Sequence, residues 1–286
     1  MVKQNTGRYG IWSTGLRTED PARRAELGEA AAELEELGFG TVWLGSSPGV
    51  RHAAPLIEAT TRLTVATGIQ SIWQYEAADT AVEYAALEAA HPGRFLLGLG
   101  VSHAKLADRY RRPYAAMVAY LDALDAAGVP EERRVLAALG PKMLRLSRDR
   151  AAGSHPYLVT PEHTAEAREA LGDGPLLAPE LKVILETDPT RARATARDHL
   201  SFYLGLPNYT NTFLRLGFTK ADLTDGGSDR LIDAVYAWGD ENRIRGRVDE
   251  FHAAGADHVA LQVIDDGAAG DALPREGWRR VAALMD

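Results

Sequence analysis

Apolar positions along the chain follow two alternating patterns. Short runs that are apolar throughout, such as Thr41–Leu44 and Phe95–Leu99, are separated by longer Ala-, Glu- and Leu-rich stretches with helical spacing. A run without in-and-out alternation is typical of a strand buried on both faces, as in a parallel sheet covered by helices. The pattern therefore predicts an α/β fold rather than a β-sandwich.

Eight strand-like runs occur in chain order, and helical stretches connect them. The predicted strands are Tyr9–Ser13, Thr41–Leu44, Thr64–Ile69, Phe95–Leu99, Arg134–Leu139, Pro156–Val159, Leu181–Leu185 and Asp257–Ile264. Eight strands with helical connections predict a closed (β/α)8 TIM barrel. We expect one domain that spans residues 1–286.

Several helix starts are marked by a capping residue followed by proline. Thr160-Pro161 and Asp188-Pro189 each place a cap before a proline, which suits the first helical turn. Pro141 begins the helix after the fifth strand in the same way. Thr80-Ala-Val-Glu83 has the form of a capping box and predicts a helix over Ala81–Ala90.

Residues 190–255 are too many for a single connection between two strands. Their pattern predicts several helices, around 209–216, 229–238 and 243–254. We expect this stretch to be a helical insertion between strands seven and eight of the barrel.

Charge and cysteine content narrow the classes of function. The chain carries a formal net charge of -8 at pH 7 and has no cysteine. It lacks the basic surface that binds nucleic acid or anionic membranes, so a small-molecule substrate is the expected partner. The absence of cysteine rules out disulfides and thiolate metal sites and favours a cytoplasmic protein. The polar amino terminus does not resemble a secretory signal, and no stretch approaches the roughly 18 apolar residues of a membrane span.

In a TIM barrel the loops after the strands carry function. The residues at the ends of the predicted strands, or just beyond them, that could bind or react are Trp12, Ser46, Trp73, Ser102, His103, Gly140, Lys142, Thr160, Asp265 and Asp266. Gly98-Leu-Gly100 also follows a strand, but it lacks the third glycine of a dinucleotide-binding fingerprint and does not open the chain. A Rossmann fold is therefore the weaker interpretation.

Four stretches, in barrel order, carry a resemblance to a known family. They are Leu34–Trp43 (LEELGFGTVW), Leu63–Gln70 (LTVATGIQ), Pro92–His103 (PGRFLLGLGVSH) and His155–Pro161 (HPYLVTP). Together they resemble the bacterial luciferase-like superfamily of flavin and deazaflavin oxidoreductases, especially its F420-dependent branch. The resemblance implies an α/β barrel with an insertion, and a hydride passed between F420 and an organic substrate at the strand ends. It also implies a homodimer, because such relatives often pair.

The resemblance assigns cofactor contacts to particular positions. It implies a bulge with a non-prolyl cis peptide at Gly68-Ile69, against the cofactor ring. It implies phosphate-binding loops at Gly100-Val101-Ser102-His103 and at Gly153-Ser154, where backbone N–H groups can approach an anion. The second loop conflicts with a sixth strand that starts at Pro156, so either that strand begins earlier or the Gly-Ser pair is a turn.

Other positions are assigned to an anionic tail, to the substrate and to catalysis. Lys142, which follows Gly140-Pro141, could neutralise an anionic cofactor tail. Trp12, Ser46 and Trp73 are expected to line the substrate pocket. His103 is the candidate catalytic residue, because a histidine titrates near neutrality and could bond the cofactor or move a proton alongside the hydride.

The chain departs from some relatives, which have a carboxylate or arginine at the position of Val101 and an acidic residue within the stretch that corresponds to Gly45-Ser46-Ser47. Sugar-phosphate dehydrogenation is therefore disfavoured. A proton donor, if the reaction needs one, would come from His103, His52, Tyr75 or Glu76.

Three alternatives to an F420-dependent enzyme stay open. The first is an FMN-dependent luciferase-like monooxygenase, and the second is a protein that binds F420 or a flavin without turnover. The third is a metal-dependent hydrolase on the same barrel, with Asp265 as ligand or base. It lacks the His-x-His pair expected after strand one, and the eight histidines show no metal-ligand spacing, so no metal site is predicted.

Overall fold

The computed structural model describes residues 6–103, 111–264 and 272–285. In these ranges strands and helices alternate along the chain. The strands are β1 (Tyr9–Ser13), β2 (Thr41–Leu44), β3 (Thr64–Thr67), β4 (Gln70–Ser71), β5 (Phe95–Gly100), β6 (Arg134–Leu136), β7 (Gly153–Ser154), β8 (Leu176–Leu177), β9 (Glu180–Ile184), β10 (Tyr236–Trp238) and β11 (Val259–Val263). The helices are α1 (Arg24–Glu36), α2 (Ala54–Glu58), α3 (Ala77–Ala90), α4 (Pro113–Ala126), α5 (Pro141–Arg150), α6 (Pro161–Leu171), α7 (Pro189–Leu204), α8 (Pro207–Arg215), α9 (Asp229–Val235), α10 (Glu241–Ala253) and α11 (Arg275–Ala282).

The strands form a parallel sheet. Its hydrogen-bonded order is β10-β9-β11-β1-β2-β3-β5-β6-β7-β8, with β4 paired to β5 outside this path. The register places Trp12 of β1 opposite Trp43 of β2 and Leu97 of β5 opposite Arg134 of β6. The predicted α/β fold with a parallel sheet is confirmed.

The two ends of this strand order meet on one segment of chain. β8 pairs with β7, whereas β9 pairs with β11, and only Ala178 and Pro179 separate β8 from β9. The backbone N–H of Ala178 donates to the carbonyl of Ser154 at 2.9 Å, and that of Ala260 donates to the carbonyl of Pro179 at 2.9 Å. The sheet therefore curls until β8, at one end of the order, lies beside β9, the strand next to the other end.

Gly153 explains where β7 forms. A Cβ atom on this residue would lie 1.9 Å from the carbonyl oxygen of Leu176, so only glycine allows the two backbones to approach this closely. The predicted sixth strand, Pro156–Val159, is wrong, because pairing takes place at Gly153–Ser154. Pro156 has no N–H to donate, and Leu158 has a φ of 56°, which is incompatible with a strand.

Two helix predictions also need correction. α3 begins at Ala77 instead of residue 81, and the hydroxyl of Thr80 lies 2.7 Å from Gln70 Nε2 and 2.8 Å from the Tyr120 hydroxyl. Thr80 is thus an interior helix residue and forms no capping box. The helix predicted over 229–238 ends at Val235, and Tyr236–Trp238 continues as β10, parallel to β9.

Two apolar clusters position these elements. The larger one lies between the sheet and its covering helices and includes Val42, Leu97 and Leu121. The second one joins α7, α8 and α9 to β9 and β10, through buried side chains such as Phe213 and Ile232. Each large aliphatic side chain contributes about 1.5–3 kcal/mol when fully buried. The second cluster therefore fixes residues 189–238 against the sheet.

The longest helix of the described part, α7, has 16 residues. In the three described ranges, no helix has both the length and the apolar character needed to cross a membrane.

Candidate functional site

The carboxyl ends of β1 and β3 form the floor of the candidate site. The peptide bond between Gly68 and Ile69 is cis, as expected from the resemblance, and it separates β3 from β4. Trp12 lies beside it, almost completely buried, and its indole N–H donates to the Gly68 carbonyl at 2.9 Å. Ile69 is half-buried, and a Cβ atom on Gly100 would lie 2.4 Å from its Cδ1. The floor is thus built by close packing of Trp12, the cis peptide and Gly100.

The loop after β2 lies against the loop after β4. Ser47 Oγ accepts a hydrogen bond from the Ser71 backbone N–H at 2.9 Å, and the Tyr75 hydroxyl donates to the Ser47 carbonyl at 3.3 Å. Ser46 and Ser47 have φ values of 57° and 54°, a left-handed backbone conformation that residues other than glycine adopt with difficulty. Ser46 is exposed at this end of the sheet, so its hydroxyl is accessible.

His52 and Glu19 connect this loop to the one after β1. His52 Nε2 lies 2.8 Å from Glu19 Oε1, and the hydrogen bond and charge of His52 lower the pKa of the exposed Glu19. The imidazole of His52 is buried, and its other nitrogen lies 3.0 Å from both the N–H and the carbonyl of Gly49. His52 therefore links two loops through hydrogen bonds, and neither of its ring nitrogens is free to donate a proton to a ligand.

The loop after β5 brings Val101, Ser102 and His103 to the same end of the sheet. The Trp73 indole N–H donates to the Val101 carbonyl at 2.5 Å, and Asn208 of α8 donates to the Ser102 carbonyl at 3.3 Å. Ser102 has a φ of 52°. The loop is therefore held from the β4 side and from α8, with its three side chains half-buried.

His103 has the most unusual environment of the predicted site residues. Its ring packs on Tyr209 of α8 at a centroid distance of 5.0 Å. Its Nδ1 atom is buried and, in the part of the chain that the structure describes, has no hydrogen-bond partner. Burial lowers the pKa of His103, so the ring is neutral near pH 7. A buried neutral nitrogen without a partner can accept one hydrogen bond from a ligand or, in the other tautomer, donate one to it.

The remaining predicted residues fall into two groups. Gly140 is the N-cap of α5 and has open space where a Cβ would be, and Lys142 is exposed in the first turn of α5. Gly153 and Ser154, by contrast, are β7 itself. Ser154 is fully buried and its hydroxyl donates to the Leu136 carbonyl at 3.1 Å. The structure therefore places both residues in a strand, so the sixth strand begins earlier than Pro156, and their role in phosphate binding stays a prediction.

Sequence reasoning missed a polar and aromatic cluster at the centre of this end. The Tyr157 hydroxyl lies 2.8 Å from the Tyr203 hydroxyl and donates to Gln262 Oε1 at 2.9 Å. The Tyr157 ring also packs on Trp12, with centroids 5.0 Å apart. Tyr157 follows β7, Tyr203 ends α7 and Gln262 is in β11, so three separate elements converge here.

A buried ion pair lies directly beneath this cluster. Lys182 Nζ lies 2.9 and 2.8 Å from the two carboxylate oxygens of Glu180, and both side chains are completely buried. Burial lowers the pKa of Lys182 to about 8 and raises that of Glu180, while the close contact between them opposes both shifts. Lys182 Nζ also lies 3.6 Å from the centroid of the Tyr157 ring. The alternation Glu180-Leu-Lys182 within an apolar strand was the signal in the sequence, since period two places both charges on one face.

Two histidines fill the interior deeper in the sheet. His155 stacks on Trp43 at 4.0 Å, and the Trp43 indole N–H donates to His258 Nε2 at 3.0 Å. Burial lowers the pKa of His155 to about 3 and that of His258 to about 4, so both rings stay neutral. Both are completely enclosed, and Nε2 of His155, the residue that follows β7, has no hydrogen-bond partner among the described residues.

A cavity of about 160 Å³ lies elsewhere, between β10 and α10. Its charged groups pair with neighbours: Asp233 binds Arg193, and Arg247 binds Glu250 at 2.7 Å. It is separate from the predicted site residues and offers no comparable set of unpaired groups. Within residues 6–103, 111–264 and 272–285, no group of three or more His, Asp or Glu side chains is arranged to hold a metal ion. Asp265 and Asp266 lie outside the described residues.

Comparison with known proteins agrees with this fold and with the earlier resemblance. Residues 8–127 match the model of the luciferase-like monooxygenase family. The luciferase-like resemblance inferred from the sequence is therefore confirmed for this part of the chain, which contains β1–β5 and α1–α4. A search of curated protein sequences gave no match.

Solved structures extend the similarity to almost the whole chain. An F420-dependent secondary alcohol dehydrogenase in complex with an F420-acetone adduct matches with a TM-score of 0.72 and 15% identity, over 98% of each chain. The coenzyme F420-dependent tetrahydromethanopterin reductase of Methanopyrus kandleri gives 0.66 and 14%, over 96% of this chain and 97% of its own. The FMN-bound oxygenating constituent of 3,6-diketocamphane monooxygenase from Pseudomonas putida gives 0.66 and 13%, over 98% and 97%. At these identities the likeness shows a shared fold.

Proposed function

We propose that this chain is an F420-dependent oxidoreductase, which binds the deazaflavin at the carboxyl ends of its strands and acts on a small organic substrate. The observation that carries the proposal is the buried Nδ1 of His103, which has no hydrogen-bond partner among the described residues and follows β5 at the same end of the sheet as the hydrogen bond from Trp12 to Gly68. Two of the similar solved structures are named as F420-dependent enzymes, which favours F420 over a flavin.

The proposed architecture is one domain, a (β/α)8 barrel in which residues 190–255 form the insertion between strands seven and eight. In this description β8 and β9 together are strand seven, and β11 is strand eight. The insertion then supplies Tyr203, Tyr209 and Asn208 to the barrel mouth. We also propose a cytoplasmic homodimer, for which the checks are localisation of a tagged chain and sedimentation.

The residues at the floor have distinct roles in this proposal. Gly68-Ile69 supports one face of the cofactor ring, and Gly100 to His103 hold its phosphate end with backbone N–H groups. Gly140 leaves room beside Lys142, whose exposed ammonium would balance an anionic tail. When bound, the deazaflavin supplies hydride-transfer chemistry. Trp12, Ser46 and Trp73 limit the space for substrate and exclude water from it.

His103 is proposed to move or hold the proton that accompanies the hydride. Its ring is neutral near pH 7 because burial lowers its pKa, so it can accept a proton from an alcohol or donate from its N–H. His52 is a poorer candidate, because its imidazole is buried and already bonded on both nitrogens.

A second candidate is an FMN-dependent monooxygenase of the same superfamily. It is favoured by the FMN-bound structure from Pseudomonas putida, whose TM-score of 0.66 equals that of the F420-dependent reductase from Methanopyrus kandleri. The two candidates differ in the cofactor and in the need for dioxygen.

Separate fluorescence titrations with F420 and with FMN test the proposal. We expect micromolar affinity for F420 and at least tenfold weaker binding of FMN. The reverse preference would favour the monooxygenase, and no binding of either would contradict both. Reoxidation of reduced F420 by a panel of added ketones and aldehydes then separates an enzyme from a protein that only binds the cofactor.

A further inference from the structure

Tyr157 has the position of a group that meets a ligand. It is half-buried, while its hydroxyl is held between Tyr203 at 2.8 Å and Gln262 at 2.9 Å. Its ring contacts Trp12, which in turn is bonded to the Gly68 carbonyl at 2.9 Å. One side chain therefore separates Tyr157 from the cis peptide at the floor of the proposed site.

The phenol of Tyr157 is a neutral hydrogen-bond donor. Burial, together with Tyr203 and Glu180, raises its pKa well above the usual value, so it stays protonated at physiological pH. Lys182 and Glu180, the charged groups packed beneath it, sum to zero charge. A site of this kind suits an uncharged oxygen atom and offers no counter-ion to a cation or an anion.

The Glu180–Lys182 pair contacts the ring of Tyr157 and the backbone of the next residue, Leu158. Lys182 Nζ lies against the ring face at 3.6 Å from its centroid. Glu180 Oε2 accepts the backbone N–H of Leu158 at 3.1 Å, and Leu158 has the left-handed φ of 56°. A left-handed leucine persists only where its surroundings enforce it. Two completely buried charges thus fix the position and direction of one side chain at the barrel mouth.

We propose that a carbonyl or hydroxyl oxygen of the substrate replaces Gln262 Oε1 as the acceptor of the Tyr157 O–H, beside Tyr203, and that Glu180 and Lys182 are positioning residues for Tyr157. This inference rests on the proposed function, which identifies this end of the sheet as the active site. The substrates expected from it are uncharged compounds with a carbonyl or alcohol group. The residues that would bind them come from the loop after β7 and from β9, β11 and α7.

Binding can be tested without cofactor or turnover. The protein is produced with 3-fluorotyrosine, and its fluorine NMR signals are assigned with Tyr157→Phe and Tyr203→Phe. We expect cyclohexanone to shift the Tyr157 and Tyr203 signals with saturation in the millimolar range, and cyclohexylammonium to leave them unchanged. The matched control is Tyr84→Phe on α3, whose buried hydroxyl has no partner among the described residues; it should leave the cyclohexanone titration unaltered.

The positioning role has its own test, which avoids an unpaired buried charge. In the double variant Glu180→Gln, Lys182→Met both charges are removed, and such neutral replacements usually leave a fold intact. We expect cyclohexanone to bind about tenfold more weakly, the equivalent of one hydrogen bond. Unchanged affinity in this folded variant would overturn the positioning role.

The outcomes separate this inference from the proposed function. If F420 binds but cyclohexanone leaves the Tyr157 signal unmoved, the substrate-oxygen site is wrong and the cofactor proposal stands. If cyclohexanone binds at Tyr157 and neither F420 nor FMN binds, the cofactor proposal is wrong and the substrate-oxygen site stands. A shift produced equally by cyclohexylammonium would overturn the assignment of an uncharged oxygen.

Discussion

The two ends of the sheet satisfy their polar groups differently. At the amino end of the strands, Glu35, Arg168 and Arg134 each bind several groups. The Glu35 carboxylate accepts backbone N–H bonds from Thr61, Arg62 and Leu63, at distances from 2.7 to 3.1 Å. Arg168 donates to three carbonyls and to Asp257. The buried Arg134 contacts Asp125 and the Arg150 carbonyl, although its Nη1 has no partner among the described residues.

At the carboxyl end, unfavourable features accumulate. Five non-glycine residues in the loops after β2, β5 and β7 have left-handed φ values: Ser46, Ser47, Ser102, Arg112 and Leu158. The buried Nδ1 of His103 has no partner in the described part of the chain. Strained backbone costs free energy of folding and is common at functional sites. Buried atoms without a described partner also occur at the amino end, for example Arg134 Nη1 and the Tyr84 hydroxyl, so the contrast between the two ends rests on the backbone. In α/β barrels the amino end serves stability and the carboxyl end serves function, and the contrast here is what the proposed site leads us to expect.

The largest expected effect comes from breaking the ion pair between the two ends. Lys182→Met leaves the Glu180 carboxylate buried without its cation, so we expect the free energy of unfolding to fall by about 3–5 kcal/mol. Urea denaturation followed by circular dichroism measures this loss. Lys142→Met, at an exposed position, is the control and should change stability little. A loss below about 1 kcal/mol for Lys182→Met would mean that Glu180 takes up a proton at little cost.

Glu35→Gln tests the amino end. Burial alone would raise the pKa of Glu35, but four hydrogen bonds, from the backbone of Arg62, Thr61 and Leu63 and from the Thr61 hydroxyl, lower it from 4.5 to about 2. The carboxylate therefore stabilises the folded state fully above about pH 4.5, and this contribution is lost as the pH falls towards 2. The amide can satisfy only some of these donors, so we expect a loss of about 1–3 kcal/mol at pH 7.

The pH dependence provides the control for this substitution. Wild-type stability should fall between pH 4.5 and 2 more steeply than that of Glu35→Gln, whereas the exposed neighbour Glu36→Gln should follow the wild type. Parallel curves for wild type and Glu35→Gln would show that other carboxylates dominate acid unfolding. Ligand affinity should be unaffected by both substitutions.

The hydrophobic pattern was enough for most of the fold. β1 and β2 occupy the predicted residues, and α5, α6 and α7 begin at Pro141, Pro161 and Pro189 as expected. These features depend on local chemistry, namely continuous apolar runs and proline after a cap. β7 could not be found in this way, because its two residues are not an apolar run and it forms through the approach of Gly153 to Leu176, 23 positions along the chain.

The site was predictable where a motif carried it and unpredictable where tertiary contacts made it. The resemblance placed the cis peptide at Gly68-Ile69, which is confirmed, and brought His103 to the strand ends. Tyr157 lies within the stretch His155–Pro161, but the sequence assigns it no role, because its partners Lys182 and Gln262 come from distant strands. No local pattern reports that such side chains meet.

His103→Ala tests the carboxyl end directly. The ring makes no hydrogen bond through Nδ1 to a described residue, so its removal should change the free energy of unfolding by less than about 1 kcal/mol. If His103 contacts the cofactor, the affinity for F420 should fall by about 1–3 kcal/mol in the fluorescence titration. If it only transfers a proton, turnover should fall with binding intact. His91→Ala, at the end of α3 near the amino side of the sheet, should alter neither binding nor turnover.

Ser46→Gly addresses the smallest difference between the two ends. Glycine adopts a φ of 57° without the steric cost that serine meets, although it loses more backbone entropy on folding, so we expect a net gain in stability of about 0.5 kcal/mol. Ser46→Ala is the matched variant, since it removes the hydroxyl and keeps the strained backbone; its stability should equal that of the wild type.

Stability from urea denaturation and substrate-dependent turnover are measured for both Ser46 variants, and together they separate the contribution of the hydroxyl from that of the backbone. Equal losses of turnover in both variants would assign the role to the Ser46 hydroxyl, whereas a loss in Ser46→Gly alone would assign it to the rigid left-handed backbone. A destabilised Ser46→Gly would contradict the view that this loop is strained.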